Sequence, residues 1–214
     1  MKEFDELMEV AAALNGPNGC PWDHKQTFLS LQPYVIEEAH EVIEAVDSNE
    51  NDKILEELGD LFYTVVFYAK IAEKEGRFTM VDILNCEREK LIRRHPHVFG
   101  EQKIEHAEEV VKRWEKIKKT EKAHEARKSA LDGIPKTLPS LVKAQKIIKK
   151  ILRSESSLLS EKQKHLEPCS ESEVGEALFQ WILRAEESGV DAESALRRTL
   201  DEYIQAFQNW ENMV

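Results

Sequence analysis

Apolar residues recur with the period of an α-helix in two neighbouring segments of this 214-residue chain. At about 100° per residue, one face of the first segment carries Val35, Ile36, Ala39, Val42, Ile43 and Val46. One face of the second segment carries Ile54, Leu55, Leu58, Leu61, Phe62, Val65 and Ala69. This period differs from the alternation of a β-strand, and it predicts two amphipathic helices that pack by their apolar faces.

Acidic residues border both apolar faces. Glu38 and Glu41 follow one border of the first face, and Glu57 and Asp60 follow the same border of the second. Three other glutamates point away, into solvent: Glu37, Glu44 and Glu56. If the helices pack antiparallel, four carboxylates meet at one seam, where they repel each other unless cations lie between them. Oxygen ligands favour Mg²⁺ or Mn²⁺ over zinc. The alternative is a solvated acidic stripe.

The composition favours helices over sheets. Charged residues make up 33% of the chain and aromatic residues 7%, with only eight Gly and seven Pro. No segment alternates convincingly between apolar and polar residues. The expected fold class is therefore all-α.

Charge and cysteine usage narrow the function classes. A net charge of -11 opposes general affinity for nucleic acid, so no nucleic-acid partner is expected. A small anionic substrate remains compatible where a metal and local cations receive it. Cys20, Cys86 and Cys169 have no CxxC spacing, which argues against a disulfide framework and a thiolate zinc site.

No segment has the roughly 18 consecutive apolar residues of a membrane span. The N-terminal residues also lack the basic and apolar regions of a signal peptide. The expected protein is soluble and cytoplasmic, with no membrane partner.

Capping residues and Gly or Pro positions set the expected helix boundaries. Pro33 marks a break or restart near the beginning of the first acidic segment. Asn51 or Asp52 is the expected N-cap of the second, and Thr79 with Asp82 resembles a capping box. The expected helices span residues 4–14, 27–48, 51–75, 79–94, 105–127, 141–152, 171–187 and 192–212.

The second acidic motif has an echo later in the chain. Glu57-Leu-Gly-Asp60-Leu-Phe resembles Glu173-Val-Gly-Glu176-Ala-Leu, and each is followed by an apolar helix, a glycine and another helix. No helix with an ExxE motif precedes the second copy. The sequence therefore predicts one acidic cage, in the first half, and a degenerate helical repeat in the second.

Five motifs occur in order along the chain: Gly19-Cys-Pro-Trp-Asp23, Gln26-Thr27, EExxE at 37–41, EELGD at 56–60, and KLIRRHPHVF at 90–99. Together they resemble the MazG family of nucleoside triphosphate pyrophosphohydrolases. The similarity runs to about residue 152 and continues weakly beyond it. The predicted regions are a MazG-type pyrophosphohydrolase domain at 1–128, a linker with an amphipathic helix at 129–170, and a degenerate MazG-like repeat at 171–214.

The resemblance implies an all-α bundle built from helices of two subunits, and hence a homodimer or a higher homo-oligomer. It also implies Mg²⁺-dependent hydrolysis of NTP or dNTP to the nucleoside monophosphate and pyrophosphate. The metal ligands carried over are Glu38, Glu41, Glu57 and Asp60. The substrate contacts carried over are Tyr34, Lys53, Lys90, Arg93, Arg94 and Trp114. In this chemistry Glu38 or Glu41 is also expected to accept the proton of the attacking water.

Several of these residues have structural interpretations as well. Lys53 is placed equally well for an i,i+4 salt bridge with Glu57. The cations from Lys90 to Arg94 also stabilise the end of a helix. Trp114 and Trp22 are candidates to stack on a base, although a tryptophan in an apolar stripe is more often part of a core.

Two other function classes stay open. A di-iron carboxylate bundle would use ExxH pairs, which Glu37–His40 and Glu121–His124 supply. A catalytically inactive helical interaction or regulatory protein would keep the MazG fold without its chemistry. In some long members of the family, activity is assigned chiefly to the C-terminal domain, which is the degenerate half of this chain.

Overall fold

The computed structural model describes residues 1–100, 104, 106–121, 129–154, 156, 158–159 and 167–213. Over these residues the protein is helical without any β-strand, which confirms the predicted all-α class. The helices are α1 (Lys2–Asn15), α2 (Gln32–Ser48), α3 (Asn51–Lys74), α4 (Met80–Arg94), α5 (Pro96–Phe99), α6 (Ala107–Lys119), α7 (Ser140–Leu152), α8 (Glu171–Glu187) and α9 (Ala192–Glu211). Within the described part of the chain, no helix has the length and apolar character needed to cross a membrane.

The first acidic helix begins at Gln32 rather than at the predicted Thr27. Pro33 lies in its first turn, where a missing N–H group has no cost and the fixed φ suits a helix. Ahead of it, the N–H of Thr27 donates to Ser30 Oγ at 2.8 Å, and the N–H of Ser30 donates to Thr27 Oγ1 at 3.1 Å. These side-chain hydrogen bonds stabilise a turn in competition with the helix.

Capping boxes begin α4 and α8. In α4 the N–H of Thr79 donates to Asp82 Oδ2 at 2.8 Å, and the N–H of Asp82 donates to Thr79 Oγ1 at 3.3 Å. This confirms the predicted capping box. In α8 the N–H of Ser170 donates to Glu173 Oε2 at 2.7 Å, and the N–H of Glu173 donates to Ser170 Oγ at 3.3 Å. Each box satisfies donors that a helix N-terminus leaves unpaired.

The ends of α3 and α8 share one hydrogen-bond pattern. Gly76 follows α3 with φ 66° and Gly189 follows α8 with φ 65°, a left-handed conformation that glycine adopts without strain. One residue further on, the N–H of Arg77 donates to Ala72 O at 2.9 Å, and the N–H of Val190 donates to Ala185 O at 2.8 Å. Both helices therefore stop where the sequence predicts.

The segment Met1–Lys118 forms a first compact unit around α3, which packs against α1, α2 and α4. Val66 and Ala69 of α3 lie in one cluster with Ala11 of α1 and Met80 of α4. Phe67 and Ile71 lie in a second cluster with Leu31, just ahead of α2. The C-terminal half of α3 is thus buried in the core, and it fixes the position of the N-terminal half, which carries the EELGD motif.

The predicted packing of the α2 and α3 apolar faces is wrong in part. The two helices do contact each other, but Ile36 is 62% exposed, Leu55 75% and Leu58 51%. Four more apolar residues of these faces are also exposed: Ile43, Val46, Phe62 and Val65. An apolar face this wide exceeds what one neighbouring helix covers, so its outer part stays in solvent.

The segment Lys119–Val214 forms a second compact unit around α7 and α9. Its core comprises Leu131, Ala144, Ile147, Ile151, Leu159, Leu200 and Phe207. The N–H of Ser140 donates to Glu193 Oε1 at 2.7 Å and joins the start of α7 to α9. None of the residues of α8 is buried. The helix predicted at 105–127 is too long, because α6 ends at Lys119 and residues 120–121 are no longer helical. The predicted domain boundary at residue 128 lies outside the described residues.

Candidate metal centre and adjoining cavity

A short turn folds α3 back against α2. Helix α2 ends at Ser48, and Asn49 adopts a left-handed conformation with φ 56° before α3 begins at Asn51. Asparagine tolerates this conformation better than most residues with a side chain. A connection this short makes the two helices antiparallel neighbours, so the EExxE and EELGD motifs lie beside each other.

Three carboxylates converge between α2 and α3. One oxygen each of Glu38, Glu41 and Glu57 lies within 4.8 Å of the other two. Glu38 and Glu57 are partly buried, whereas Glu41 is exposed. The glutamates predicted to face solvent are all exposed: Glu37, Glu44 and Glu56. The helical period thus separates the converging acids from the solvated ones.

Desolvation and mutual repulsion raise the pKa values of two carboxylates in this group. The pKa of Glu38 is raised by desolvation first, and then by the negative charges of Asp60, Glu41 and Glu57. The pKa of Glu57 is raised by desolvation and then chiefly by the charge of Glu41. Like charges this close favour the neutral form of one another. A cation between them would remove that cost.

Asp60, the fourth predicted ligand, lies beside the other three. Its charge raises the pKa of both Glu38 and Glu57. Its side chain is exposed, however, and it is not part of the group whose oxygens lie within 4.8 Å of one another. Asp60 and Glu38 also line a neighbouring cavity. The structure therefore brings three predicted ligands together and places the fourth at the edge of the cavity.

The cavity has a volume of about 230 Å³, and four of its ten lining residues are aromatic. Trp22 lies with its ring centroid 5.8 Å from that of Tyr34, at an interplanar angle of 82°, and 6.2 Å from that of Phe67. Tyr63 lies 6.0 Å from Phe67. All four rings line the cavity, together with the carboxylates of Asp23, Glu38 and Asp60.

A tight turn after α1 places Trp22 and Asp23 at this cavity. The N–H of Gly19 donates to Gly16 O, and the N–H of Cys20 donates to Leu14 O, both at 2.8 Å. A Cβ atom at Gly19 would lie 2.0 Å from Leu14 O, so only glycine fits there. Asp23 is buried and begins a short 3₁₀ turn, Asp23–Lys25. The sequence marks Asp23 only as part of the GCPWD motif.

Tyr34 and Lys53 are the predicted substrate contacts nearest to the acidic helices. Tyr34 lines the cavity. Lys53 Nζ lies 2.7 Å from Glu50 Oε1, so the alternative ion pair between Lys53 and Glu57 is wrong. The pKa of Lys53 is raised, chiefly by its hydrogen bond with Glu50.

The other predicted substrate contacts lie on α4 and α6. Lys90 forms an ion pair with Glu87. The guanidinium of Arg94 lies 5.0 Å from the ring centroid of Trp114, and Lys118 Nζ lies 4.7 Å from it. Arg93 lies beside Arg94 in the last turn of α4. In the described part of the chain, none of these residues lines the aromatic cavity.

The acidic group fits a hard divalent cation. Its donors are carboxylate oxygens, which suit Mg²⁺ or Mn²⁺. The negative charges of neighbouring acids contribute, after desolvation, to the raised pKa values of Glu38 and Glu57. A di-iron site is not favoured, because His40 is exposed and lies outside the group, while His124 is beyond the described residues.

Comparisons with known proteins agree on one family. Residues 26–99, which include α2 and α3, match the family model described as the MazG nucleotide pyrophosphohydrolase domain. The chain is 38% identical to the nucleoside triphosphate pyrophosphohydrolase of Escherichia coli (strain K12) over 234 aligned positions, covering 100% of this chain and 89% of that protein.

Relatives from Thermotoga maritima match as well. The nucleoside triphosphate pyrophosphohydrolase/pyrophosphatase MazG of that organism is 37% identical over 225 aligned positions, covering 99% of this chain and 86% of that protein. The crystal structure of a mazG-related protein from the same organism shows 30% identity and a TM-score of 0.47. It covers 56% of this chain and 99% of that one.

Proposed function

We propose that this chain, which belongs to the MazG family of nucleotide pyrophosphohydrolases, hydrolyses nucleoside triphosphates to nucleoside monophosphates and pyrophosphate with Mg²⁺. Mn²⁺ is the alternative ion, and both NTP and dNTP are candidate substrates. The relatives from E. coli and T. maritima are named nucleoside triphosphate pyrophosphohydrolases and align along nearly the whole chain. We place the activity in residues 1–128. Residues 129–170 are then a linker with an amphipathic helix, and residues 171–214 a degenerate repeat.

The observation that carries this proposal is the convergence of Glu38, Glu41 and Glu57 within 4.8 Å. We assign these three residues and Asp60 to metal binding. When bound, Mg²⁺ would neutralise negative charge on phosphate oxygens and lower the pKa of a coordinated water. Glu38 or Glu41 is the proposed acceptor of the proton from the attacking water. Lysine and arginine side chains then bind the phosphate oxygens that the metal does not contact.

The proposed phosphate contacts are Lys53, Lys90, Arg93 and Arg94. Lys53 lies about one helical turn ahead of Glu57, and its present partner, Glu50, is exposed. An exposed ion pair of this kind is weak, so a phosphate can replace Glu50. Tyr34 and Trp114 are the proposed aromatic contacts of the nucleotide.

We also propose that the protein is a homodimer or a higher homo-oligomer. The apolar surface left exposed on α2 and α3 includes Ile36, Leu55 and Leu58 and adjoins the acidic group. Burying such residues against a second copy contributes about 25 cal/mol for each Å² of apolar surface removed from water. Sedimentation equilibrium at micromolar concentration is expected to give twice the chain mass or more. A monomer under these conditions contradicts the assembly.

The test of the proposed activity is product identification. The protein is incubated with Mg²⁺ and each NTP or dNTP in turn, and the nucleotide products are separated by ion-exchange chromatography. Nucleoside monophosphate and pyrophosphate in equal amounts are expected. Nucleoside diphosphate and phosphate would exclude the proposal. No turnover of any nucleotide would favour an inactive interaction or regulatory protein that keeps the fold.

A further inference from the structure

The aromatic cavity is suited to a planar ring. Trp22, Tyr34, Tyr63 and Phe67 surround a volume of about 230 Å³, enough for a nucleobase. Trp22 is 48% exposed although it contacts both Tyr34 and Phe67. Aromatic rings with exposed surface stack on bases of any kind. The walls alone therefore accept a base without choosing among bases.

The same cavity includes Glu38 and Asp60. These carboxylates belong to the group assigned above to the metal that receives phosphate. A nucleotide with its phosphates at the metal would therefore have its base within reach of the aromatic walls. This step rests on the proposed function.

Asp23 is the polar group of the cavity that lies outside the acidic helices. Its side chain is 8% exposed, and it belongs to the turn after α1. Within the described part of the chain, the Asp23 carboxylate forms no ion pair and no hydrogen bond. A buried carboxylate without partners is costly. It retains the capacity to accept hydrogen bonds from a ligand.

Tyr63 adds a second unsatisfied polar group beside Asp23. Its hydroxyl is buried and has no hydrogen-bond partner. Desolvation, followed by the negative charge of Asp23, raises the pKa of Tyr63. The carboxylate and the hydroxyl are therefore close enough to interact electrostatically. The hydroxyl can donate or accept a hydrogen bond, whereas the ionised carboxylate only accepts.

We propose that Asp23 accepts a hydrogen bond from the exocyclic amino group of a nucleobase and so determines which bases the enzyme prefers. An ionised carboxylate accepts hydrogen bonds and cannot donate them. Cytosine and adenine offer an amino group where uracil and hypoxanthine offer a carbonyl oxygen, which the carboxylate repels. A hydrogen bond to a charged group contributes about 1.5–3 kcal/mol to the free energy of binding. A base that makes this hydrogen bond is therefore preferred about tenfold or more over one that cannot.

The test compares nucleotides that differ at this one position. In the full-length protein, kcat/KM is measured for CTP against UTP and for ATP against ITP. The amino-bearing nucleotide of each pair is expected to be preferred by about tenfold or more. A wild-type ratio near one in both pairs overturns the proposal and needs no variant.

Variants locate the preference. In Asp23→Asn the side-chain amide can both donate and accept, so both ratios are expected to fall towards one, with UTP hydrolysis retained. Asp5→Asn makes the same charge change at an exposed position of α1, and it is expected to keep the wild-type ratios. Unchanged ratios in Asp23→Asn overturn the proposal. If circular dichroism shows that Asp23→Asn does not fold, Asp23→Ser is measured with the same expected and overturning results.

A binding measurement separates this proposal from the proposed activity. Quenching of tryptophan fluorescence by CMP and by UMP reports base binding without hydrolysis. Tighter binding of CMP by about tenfold, lost in Asp23→Asn, supports base selection even if no triphosphate is hydrolysed. Equal affinities for CMP and UMP overturn base selection even if triphosphates are hydrolysed to monophosphates.

Discussion

Helices α3 and α8 carry similar motifs and end in the same way, yet their acids have opposite environments. Glu57 of α3 lies near Glu38 and Glu41, and its pKa is raised. Glu173, the corresponding residue of α8, has its pKa lowered by the backbone and side-chain hydrogen bonds of Ser170. The Glu57 carboxylate is desolvated and lies near other negative charges. The Glu173 carboxylate instead accepts hydrogen bonds from Ser170 at the start of its own helix.

The difference comes from what precedes each motif. Glu57 lies in the second turn of α3, after α2 has brought two further carboxylates alongside. Glu173 lies in the first turn of α8, where it caps the helix, and Glu176 accepts a hydrogen bond from Gln180 at 2.9 Å. A helix that ends at a glycine therefore occurs here both with and without an acidic group. The acidic centre depends on the preceding helix.

Substituting the two corresponding glutamates should give the largest contrast. Glu57→Gln is expected to lower kcat/KM for NTP hydrolysis by about 100-fold or more, because even outer residues of metal sites cost 10–100-fold. Glu173→Gln is expected to leave it within about twofold, because this residue only caps α8. Continuous assay of pyrophosphate release measures both. Equal losses in the two variants would mean that the first unit has no special role.

Metal should stabilise the first unit through the acidic group. Mg²⁺ at about 100 times its Kd is expected to raise the free energy of unfolding by about 2.7 kcal/mol. Excess EDTA should reverse the gain, and Glu41→Gln should abolish it. Glu176→Gln is the control in α8 and should keep the full gain. Thermal denaturation followed by circular dichroism measures the effect, and a gain that survives Glu41→Gln would place the ion elsewhere.

Loss of the two capping boxes should affect different parts of the protein: the stability of the whole first unit for α4, and the local stability of the helix for α8. Thr79→Ala is expected to lower the free energy of unfolding of the first unit by about 1 kcal/mol, because α4 begins at Met80, which is buried in the core of that unit. Ser170→Ala should increase hydrogen exchange within α8 and shift the denaturation midpoint less, because α8 buries none of its residues. Urea denaturation and amide hydrogen exchange distinguish these results. A larger midpoint shift for Ser170→Ala would show that α8 is covered in solution.

The two glutamates should also have opposite effects of pH on stability, with the smallest magnitude of these four contrasts. The folded pKa of Glu57 is raised above 4.5, so its ionisation opposes folding as pH rises above that value. In EDTA at pH 7, Glu57→Gln should therefore raise Tm. The folded pKa of Glu173 is lowered below 4.5, so its contribution is present above pH 4.5 and is lost as pH falls through the folded pKa. Glu173→Gln should lower Tm at pH 7.

Both Tm differences should shrink as pH falls, and they should vanish once the carboxylates are protonated in the folded and the unfolded chain. Melting curves at pH 7 and pH 3 test the signs. The same sign for both variants at pH 7 would contradict the contrast between the two environments.

Local signals in the sequence predicted the helices well. Thr79 and Asp82 specify the start of α4 by hydrogen bonds between near neighbours, and Gly76 specifies the end of α3 by its conformation. The convergence of Glu38, Glu41 and Glu57 also followed from the helical period, because a short turn makes α2 and α3 neighbours. Such features depend on residues a few positions apart.

Features set by tertiary contacts were harder to predict. The helical period cannot show how much of an apolar face one neighbour covers, so the exposure of Ile36 and Leu55 was missed. The partner of Lys53 depended on side-chain rotamers, which the helical period does not specify, and Lys53 pairs with Glu50. Asp23 faces the cavity because a turn after α1 brings it to α2 and α3. The GCPWD motif marks that turn but not its direction.

We expect the acidic group of the first unit to bind the metal that the proposed hydrolysis requires. Electron paramagnetic resonance of Mn²⁺ titrated into the protein measures free ion directly. Wild type and Glu37→Gln, a substitution on the solvent side of the same helix, are predicted to bind Mn²⁺ with equal affinity. Glu38→Gln is predicted to bind it at least tenfold more weakly. Equal binding by Glu38→Gln and Glu37→Gln would contradict the account.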